Sequence, residues 1–295
     1  MFKNLEATAM STKVLPELGS CPIATIAEGL HQDSLGIWQS AAMNAISYPE
    51  EGNAECFRIE DSSYWFQHRN SCITTLVRRY SPTGPIMDIG GGNGFVTRAL
   101  MDHGFEAILL EPGAAGAFNA KVNRGVSSVI CSDLANAGIK PESVDAAGLF
   151  DVLEHIRDDR DFASQIRFIL RPGGLLYGTV PAHNWLWSHS DVEAGHYRRF
   201  DRHSLSQTLG GKFQLLWFSY MFAPLVVPLF CLRTVPSILR IGKGKKALSV
   251  STEHGTSGGA SVTVLKKLLA REAASIARGA AQSFGTSCLF VARKS

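Results

Sequence analysis

The run Pro85-Ile86-Met87-Asp88-Ile89-Gly90-Gly91-Gly92-Asn93-Gly94 leaves this chain few ways to fold. A short apolar stretch carrying one acid meets four glycines within five positions, and Phe95, Val96, Ala99 and Leu100 then recur at helical spacing. That order reads as strand, tight turn, helix. Glycine lacks a β-carbon and tolerates positive φ, so such a turn lets a ligand approach the backbone and aims the free N–H groups of a helix start at it. A flat or anionic ligand is expected there.

Spacing narrows the choice. A dinucleotide fingerprint needs glycines at its first, third and sixth positions, and the sixth counted from Gly90 is Phe95. That bulk opposes pyrophosphate approach and disfavours a nicotinamide-dependent reductase or epimerase; a Tyr-x-x-x-Lys pair is also missing from the sequence. Here the glycines fall at 90, 92 and 94, with Asp88 two residues ahead and Glu111 closing the next apolar run.

Downstream, short apolar runs alternate with helical ones. Strands are expected at 85–90, 106–111, 128–131, 144–150 and 175–180, with helices to about 103 and over 114–123 and 159–170. Alternation of this kind builds a parallel sheet with helices on both faces, and ligands of such sheets bind beyond the strand C-termini. Gly90, Glu111, Asp133 and Asp151 all fall at successive strand ends, so one sheet edge should gather them.

With these motifs, and with Pro172-Gly173-Gly174 before the fifth strand, the chain resembles the class I S-adenosylmethionine-dependent methyltransferases. The segments Trp187-Ser188-His189-Ser190-Asp191 and Gly195-His196-Tyr197-Arg198-Arg199-Phe200 narrow the likeness to a bacterial small-molecule subgroup of the type 11 and type 23 kind. The resemblance implies an α/β, Rossmann-like sheet of seven mostly parallel strands, the last antiparallel. It implies S-adenosyl-L-methionine as cofactor and S-adenosyl-L-homocysteine as product. By the same resemblance Asp88, Gly90, Gly92, Gly94 and Glu111 meet the amino-acid and ribose parts, Asp133 and Leu134 the adenine, and Phe150, Asp151 and Val152 the methionine side.

The acceptor half is less legible. Residues 60–80 read as a capped amphipathic helix whose Tyr64 and Trp65 are candidates to close over the site. The loop after the fifth strand offers Trp187, Asp191, Arg198 and Arg199 to a substrate, although the arginines suit an internal clamp on Asp191 or Glu193 equally well. Methyl transfer to a hydroxyl needs alignment and a base. His155, four residues beyond Asp151, is the first candidate, followed by His189 and His196. No paired ligand spacing suggests a metal, and turnover is expected to be independent of divalent ions.

Organisation and composition set the remaining expectations. Residues 1–60 read as a helical extension or lid, 61–220 with 284–295 as the main domain, and 221–283 as an apolar and basic helical insertion with a flexible linker at 247–261. A net charge of +3 does not point to nucleic acid, and the six cysteines are scattered, as befits reduced thiols in the cytoplasm. The stretch 221–232 is too short and too proline-bent to span a membrane. Followed by Arg233, Arg240, Lys243, Lys245 and Lys246, it suits peripheral contact with the inner membrane face through 221–246, or a lid over a lipid-like acceptor. The function expected is O-methylation of a small saccharide or lipid-linked molecule; the alternative is a cofactor-binding interaction protein without catalysis.

Overall fold

The structure, a computed structural model, describes residues 22–42, 50–239 and 260–295. The expected linker at 247–261 and the basic cluster from Arg240 to Lys246 lie mostly or wholly outside the described residues, as do residues 1–21 and 43–49 of the N-terminal extension.

Nine strands form one sheet. In chain order they are β1 (His31–Gln32), β2 (Trp38–Gln39), β3 (Ile86–Ile89), β4 (Ala107–Leu110), β5 (Ser128–Cys131), β6 (Val144–Phe150), β7 (Leu170–Pro181), β8 (Phe213–Met221) and β9 (Ser287–Lys294). Across the sheet the order is β1-β2-β5-β4-β3-β6-β7-β9-β8. Strands β2 to β7 pair in parallel, and β9 inserts antiparallel between β7 and β8. The five expected ranges are strands, and with β8 and β9 they make the seven that the resemblance implies. The other two correct the expectation: 31–39 is a hairpin that extends the sheet beside β5, where a purely helical extension was expected. Asp33 explains the turn, since Oδ1 accepts the N–H groups of Leu35 and Ile37 and Gly36 supplies a φ of 76°.

The helices are α1 (Pro22–Ile26), α2 (Glu50–Ile59), α3 (Tyr64–Arg79), α4 (Phe95–Asp102), α5 (Ala114–Phe118), α6 (Asp159–Ile169), α7 (His189–Glu193), α8 (Arg202–Leu209), α9 (Val226–Leu229), α10 (Val235–Ile238) and α11 (Ala260–Ala277). Strand residues alternate between two cores, as a period of two requires. Met87 and Ile89 join α1, α6 and α8 on one face, while Ile86 joins α3, α4 and α11 on the other. Both faces are therefore covered, which is why the central strands read as continuous apolar runs.

Local sequence sets the element ends. Ser63 caps α3 by accepting the Trp65 and Phe66 N–H groups, and Asp201 with Ser204 forms a reciprocal capping box on α8. After β8 the chain turns into a series of short helical pieces from Ala223 to Ile238, with a π-turn at Phe230–Thr234 directly before Pro236. Proline cannot donate to the preceding turn, and a widened turn accommodates the gap. Among the described residues no helix is long and apolar enough to cross a membrane.

Glu272 of α11 fixes the start of this segment. Its Oε1 accepts from Phe222 N–H at 2.6 Å and its Oε2 from Ala223 N–H at 2.8 Å, while Oε1 also lies 2.8 Å from His68 Nε2 of α3. Phe222, at φ 63°, stacks its ring on Trp65 at 5.2 Å. Trp65, a candidate to close over the site, thus packs α3 against the post-β8 segment, with the Arg69 guanidinium 5.0 Å from its ring centroid.

Candidate functional site

Backbone geometry at the end of β3 forms the floor of the site. Gly90, Gly92 and Gly94 have φ of 71°, 56° and 75°. A β-carbon on Gly94 would lie 2.7 Å from that of Ala120, and one on Gly91 2.3 Å from Leu109 Cδ1, so these two glycines are dictated by packing beneath the loop. Among the described residues a β-carbon at Gly92 would meet only Asn53 Oδ1, at 3.5 Å, so the loop is most open there, below α2. Asn93 ties that helix down, donating to Asn53 O at 2.9 Å. Arg124 adds ion pairs to Glu60 at 2.7 Å and Asp61 at 2.9 Å.

The strand-end acids take distinct places. Glu111, 5% exposed, spreads its carboxylate between Gly92 N–H at 2.8 Å and Gly113 N–H at 2.7 Å. Each oxygen retains a lone pair for a hydroxyl. Burial pushes its pKa up to about 7, against those two N–H groups and with help from Asp88. Asp88 is wholly buried under the loop, accepts from Thr97 Oγ1 at 2.6 Å, and is raised to about 6 by desolvation. Its role is therefore support of the loop from below, which corrects the expectation of direct contact. Asp133 faces Asn136, whose side chain lies 3.0 Å and 2.9 Å from its two oxygens, with Leu134 half-buried beside it. Val152 packs 3.0 Å from the β-carbon position of Gly90. Phe150 is a core residue at 6% exposure, its ring filling the space left by Gly148, so it does not line the site.

Asp151 sits at φ 60° directly after β6, a conformation that costs a non-glycine residue of the order of 1 kcal/mol or more. Its surroundings hold it there: its N–H donates to Thr179 O at 2.9 Å, Thr179 Oγ1 donates to its Oδ1 at 3.0 Å, and Arg69 of α3 pairs with its Oδ2. Arg69 belongs to the His68-Arg69-Asn70 cluster on the buried face of α3.

The acceptor-side candidates divide. His189 is exposed and pairs along its helix with Glu193 at 3.5 Å, which removes it from the site. His155 and His196 come together, ring centroids 4.8 Å apart, and burial followed by the neighbouring His196 pushes the pKa of His155 down to about 4. That keeps it neutral and makes it a weak proton acceptor, contrary to its expected tuning near neutral pH. Arg199 is 9% exposed and grips Asp191 through Nε at 2.8 Å and Nη2 at 3.1 Å; Arg198 bonds Asp159 at 2.8 Å and Arg157 O at 2.6 Å. Both arginines and Asp191 therefore fix the loop, and the internal clamp replaces the substrate contact. Tyr64 and Trp187 are half-buried. Glu154, 1% exposed and absent from the sequence candidates, lies among these groups with its carboxyl raised well above the usual range by burial and by Asp151.

A pH dependence follows from Glu111. An acid whose pKa is raised on folding contributes stability below its unfolded value that is lost as pH climbs through the folded one. From the usual 4.5 to about 7, Glu111 alone is expected to cost the cofactor-free protein about 3 kcal/mol by pH 8. Thermal unfolding from pH 4.5 to 8 should show Tm of the wild-type protein falling relative to Glu111→Gln; parallel curves would contradict the assignment.

Comparisons with known proteins agree with this geometry. The Methyltransferase domain family (Methyltransf_23) matches residues 65–211. A probable S-adenosylmethionine-dependent methyltransferase of Mycolicibacterium smegmatis is 24% identical over 123 residues, 42% of this chain and 48% of that protein. The chain thus spans about half the length of the curated relative it matches. Phosphoethanolamine N-methyltransferase 2 of Haemonchus contortus, solved with S-adenosyl-L-methionine, superposes with a TM-score of 0.52 at 19% identity, covering 84% of this chain and 58% of that one. A complex between the Haloferax volcanii Trm112 methyltransferase activator and a putative methyltransferase gives 0.52 at 15% identity, covering 83% and 95%. At such identities the two structures speak for the fold. The family match takes in α3, the glycine loop and every acidic strand end, and residues 65–211 are a methyltransferase domain of the class I S-adenosylmethionine-dependent kind.

Proposed function

We propose that the chain transfers a methyl group from S-adenosyl-L-methionine to a hydroxyl of a small saccharide or lipid-linked acceptor. The observation that carries the donor half is the convergence of the open Gly92 backbone, Glu111 and Asp151 at one sheet edge. These residues fit the cofactor chemically: buried carboxylates suit a cation that carries ribose hydroxyls, and a pyrophosphate would be repelled. When bound, the cofactor supplies an activated methyl on a sulfonium. Glu111 would hold the ribose, Asp133 and Leu134 the adenine, and Asp151 with the loop backbone the amino-acid end.

The acceptor half of the reading rests on an aromatic and apolar surface. His183 stacks with Tyr220 at 4.7 Å and Trp185 at 5.3 Å, and Trp185 reaches Phe284 at 6.0 Å and Phe230 at 5.7 Å. Beyond them Val227, Leu232 and Ile238 are exposed by 69%, 68% and 68%, an arrangement that favours an apolar tail on the acceptor. Peripheral membrane contact through 221–246 belongs to the same proposal.

Two measurements test it. Calorimetry should show one S-adenosyl-L-homocysteine site per chain. Incubation with methyl-labelled S-adenosyl-L-methionine and bacterial extract should move label into an extractable product, in the organic phase for a lipid-linked acceptor. Binding without any transfer would favour the interaction protein instead.

A further inference from the structure

Glu154, His155 and His196 present ligand atoms that all lie within 4.8 Å of one another. We propose that these three side chains form a binding site for one divalent transition-metal ion of the Zn²⁺, Co²⁺ or Mn²⁺ kind. Two imidazoles and one carboxylate are a donor set typical of such ions, with further positions left open for water or substrate. Ligand atoms around a tetrahedral Zn²⁺ stand about 3.4 Å apart at metal–nitrogen distances of about 2.0–2.1 Å. Side-chain rotations of an ångström or so close the set.

Two independent observations point to a cation. Glu154 is 1% exposed and its Oε2 has no hydrogen-bond partner among the described residues, an arrangement that is costly for a buried carboxyl group. The nearest guanidiniums are already committed, Arg69 to Asp151 and Arg199 to Asp191. His196 carries the outer support that metal-bound histidines have: Asp191 Oδ1 lies 2.9 Å from its Nδ1, and Arg199 and Ser188 N–H hold that carboxylate in turn. With Nδ1–H directed at Asp191, the lone pair of His196 is on Nε2.

The site adjoins Asp151 at the end of β6, between the cofactor loop and the acceptor loop. An ion there would hold an acceptor oxygen and lower its affinity for its proton, which is released to solvent. This last role rests on the transfer reading; binding of the ion does not. The sequence offered no ligand spacing because His155 and His196 lie 41 positions apart, and β7 with the loop behind it brings them together.

The test is made on the full chain, stripped with a chelator and dialysed. Titration with CoCl₂ and ZnCl₂, followed by visible absorption and calorimetry, should give one ion per chain. Glu154→Gln and His196→Gln should each weaken binding at least tenfold, whereas His189→Ala, outside the site, should bind as wild type. Should a variant fail to fold, the wild-type melt decides: excess Zn²⁺ should raise Tm. Stoichiometry far below one, wild-type affinity in both ligand variants, or no Tm shift overturns the site. None of these readouts needs turnover, so they are independent of whether methyl transfer is found.

Discussion

Arg69→Met is expected to lower the unfolding free energy by about 3–5 kcal/mol, because it leaves the Asp151 carboxylate without its partner in a largely buried place. The side chains of Arg69 and Asp151 are 9% and 21% exposed, so solvent screens the pair little. The guanidinium also lies 5.0 Å from the Trp65 ring centroid and 5.2 Å from that of Phe66, contacts that methionine replaces only in part. More is at stake than one pair. Asp151 is held at φ 60° by Thr179 and Arg69 together, and α3 is tied to the end of β6 through the same bond. Losing it should free both. Urea denaturation measures the loss, and the double variant Arg69→Met with Asp151→Asn should recover a good part of it, since no charge is then stranded. A single-variant loss below about 1 kcal/mol, the range of an exposed pair, would show that the bond is not what holds α3 in place.

That pair also marks where reading the chain alone stops. The strand ends were legible because each carries a local signature: glycines at 90, 92 and 94, and an acid closing an apolar run at Glu111 and Asp151. The parallel pairing followed from alternation, and the capped start of α3 from the acidic, serine-containing lead at 60–63. What was not legible depends on contacts between distant segments. Arg69 meets Asp151 across 82 positions, and Glu272 reaches His68 across 204. No periodicity records such partners. Residue type alone also misleads about direction. Phe150 and Asp88 have the composition of site residues yet are buried: the Phe150 ring fills the space beside Gly148, and Asp88 lies under the glycine loop against Thr97. His189 failed for the opposite reason: on a five-residue helix it turns to solvent beside Glu193. The hairpin at 31–39 was hidden by its length, since two-residue strands show no alternation to detect.

Asp191→Ala is expected to cost about 3–5 kcal/mol and to loosen the whole acceptor loop, because it strands the Arg199 guanidinium in a buried place. Burial opposes ionisation of Asp191, yet the His196 ring, Arg199 and the Ser188 N–H together hold its pKa down at about 2. The carboxylate therefore stays charged at any working pH, and it caps α7 through Ser188 at 2.9 Å while gripping Arg199. Arg199 passes the tie on, donating to Ala182 O at 3.1 Å, just beyond β7. One acid thus anchors both ends of the loop. Hydrogen exchange should rise across residues 183–199 in the variant and stay as in wild type within β3 and β4; exchange confined to α7 would mean the loop is held by its other contacts. Arg199→Lys separates this reading from a substrate role. Lysine keeps the charge but not the two-pronged grip, so Tm should fall in the absence of any ligand. A residue reserved for an incoming phosphate or carboxylate would tolerate that change without loss of stability, and an unchanged melt would return Arg199 to the acceptor.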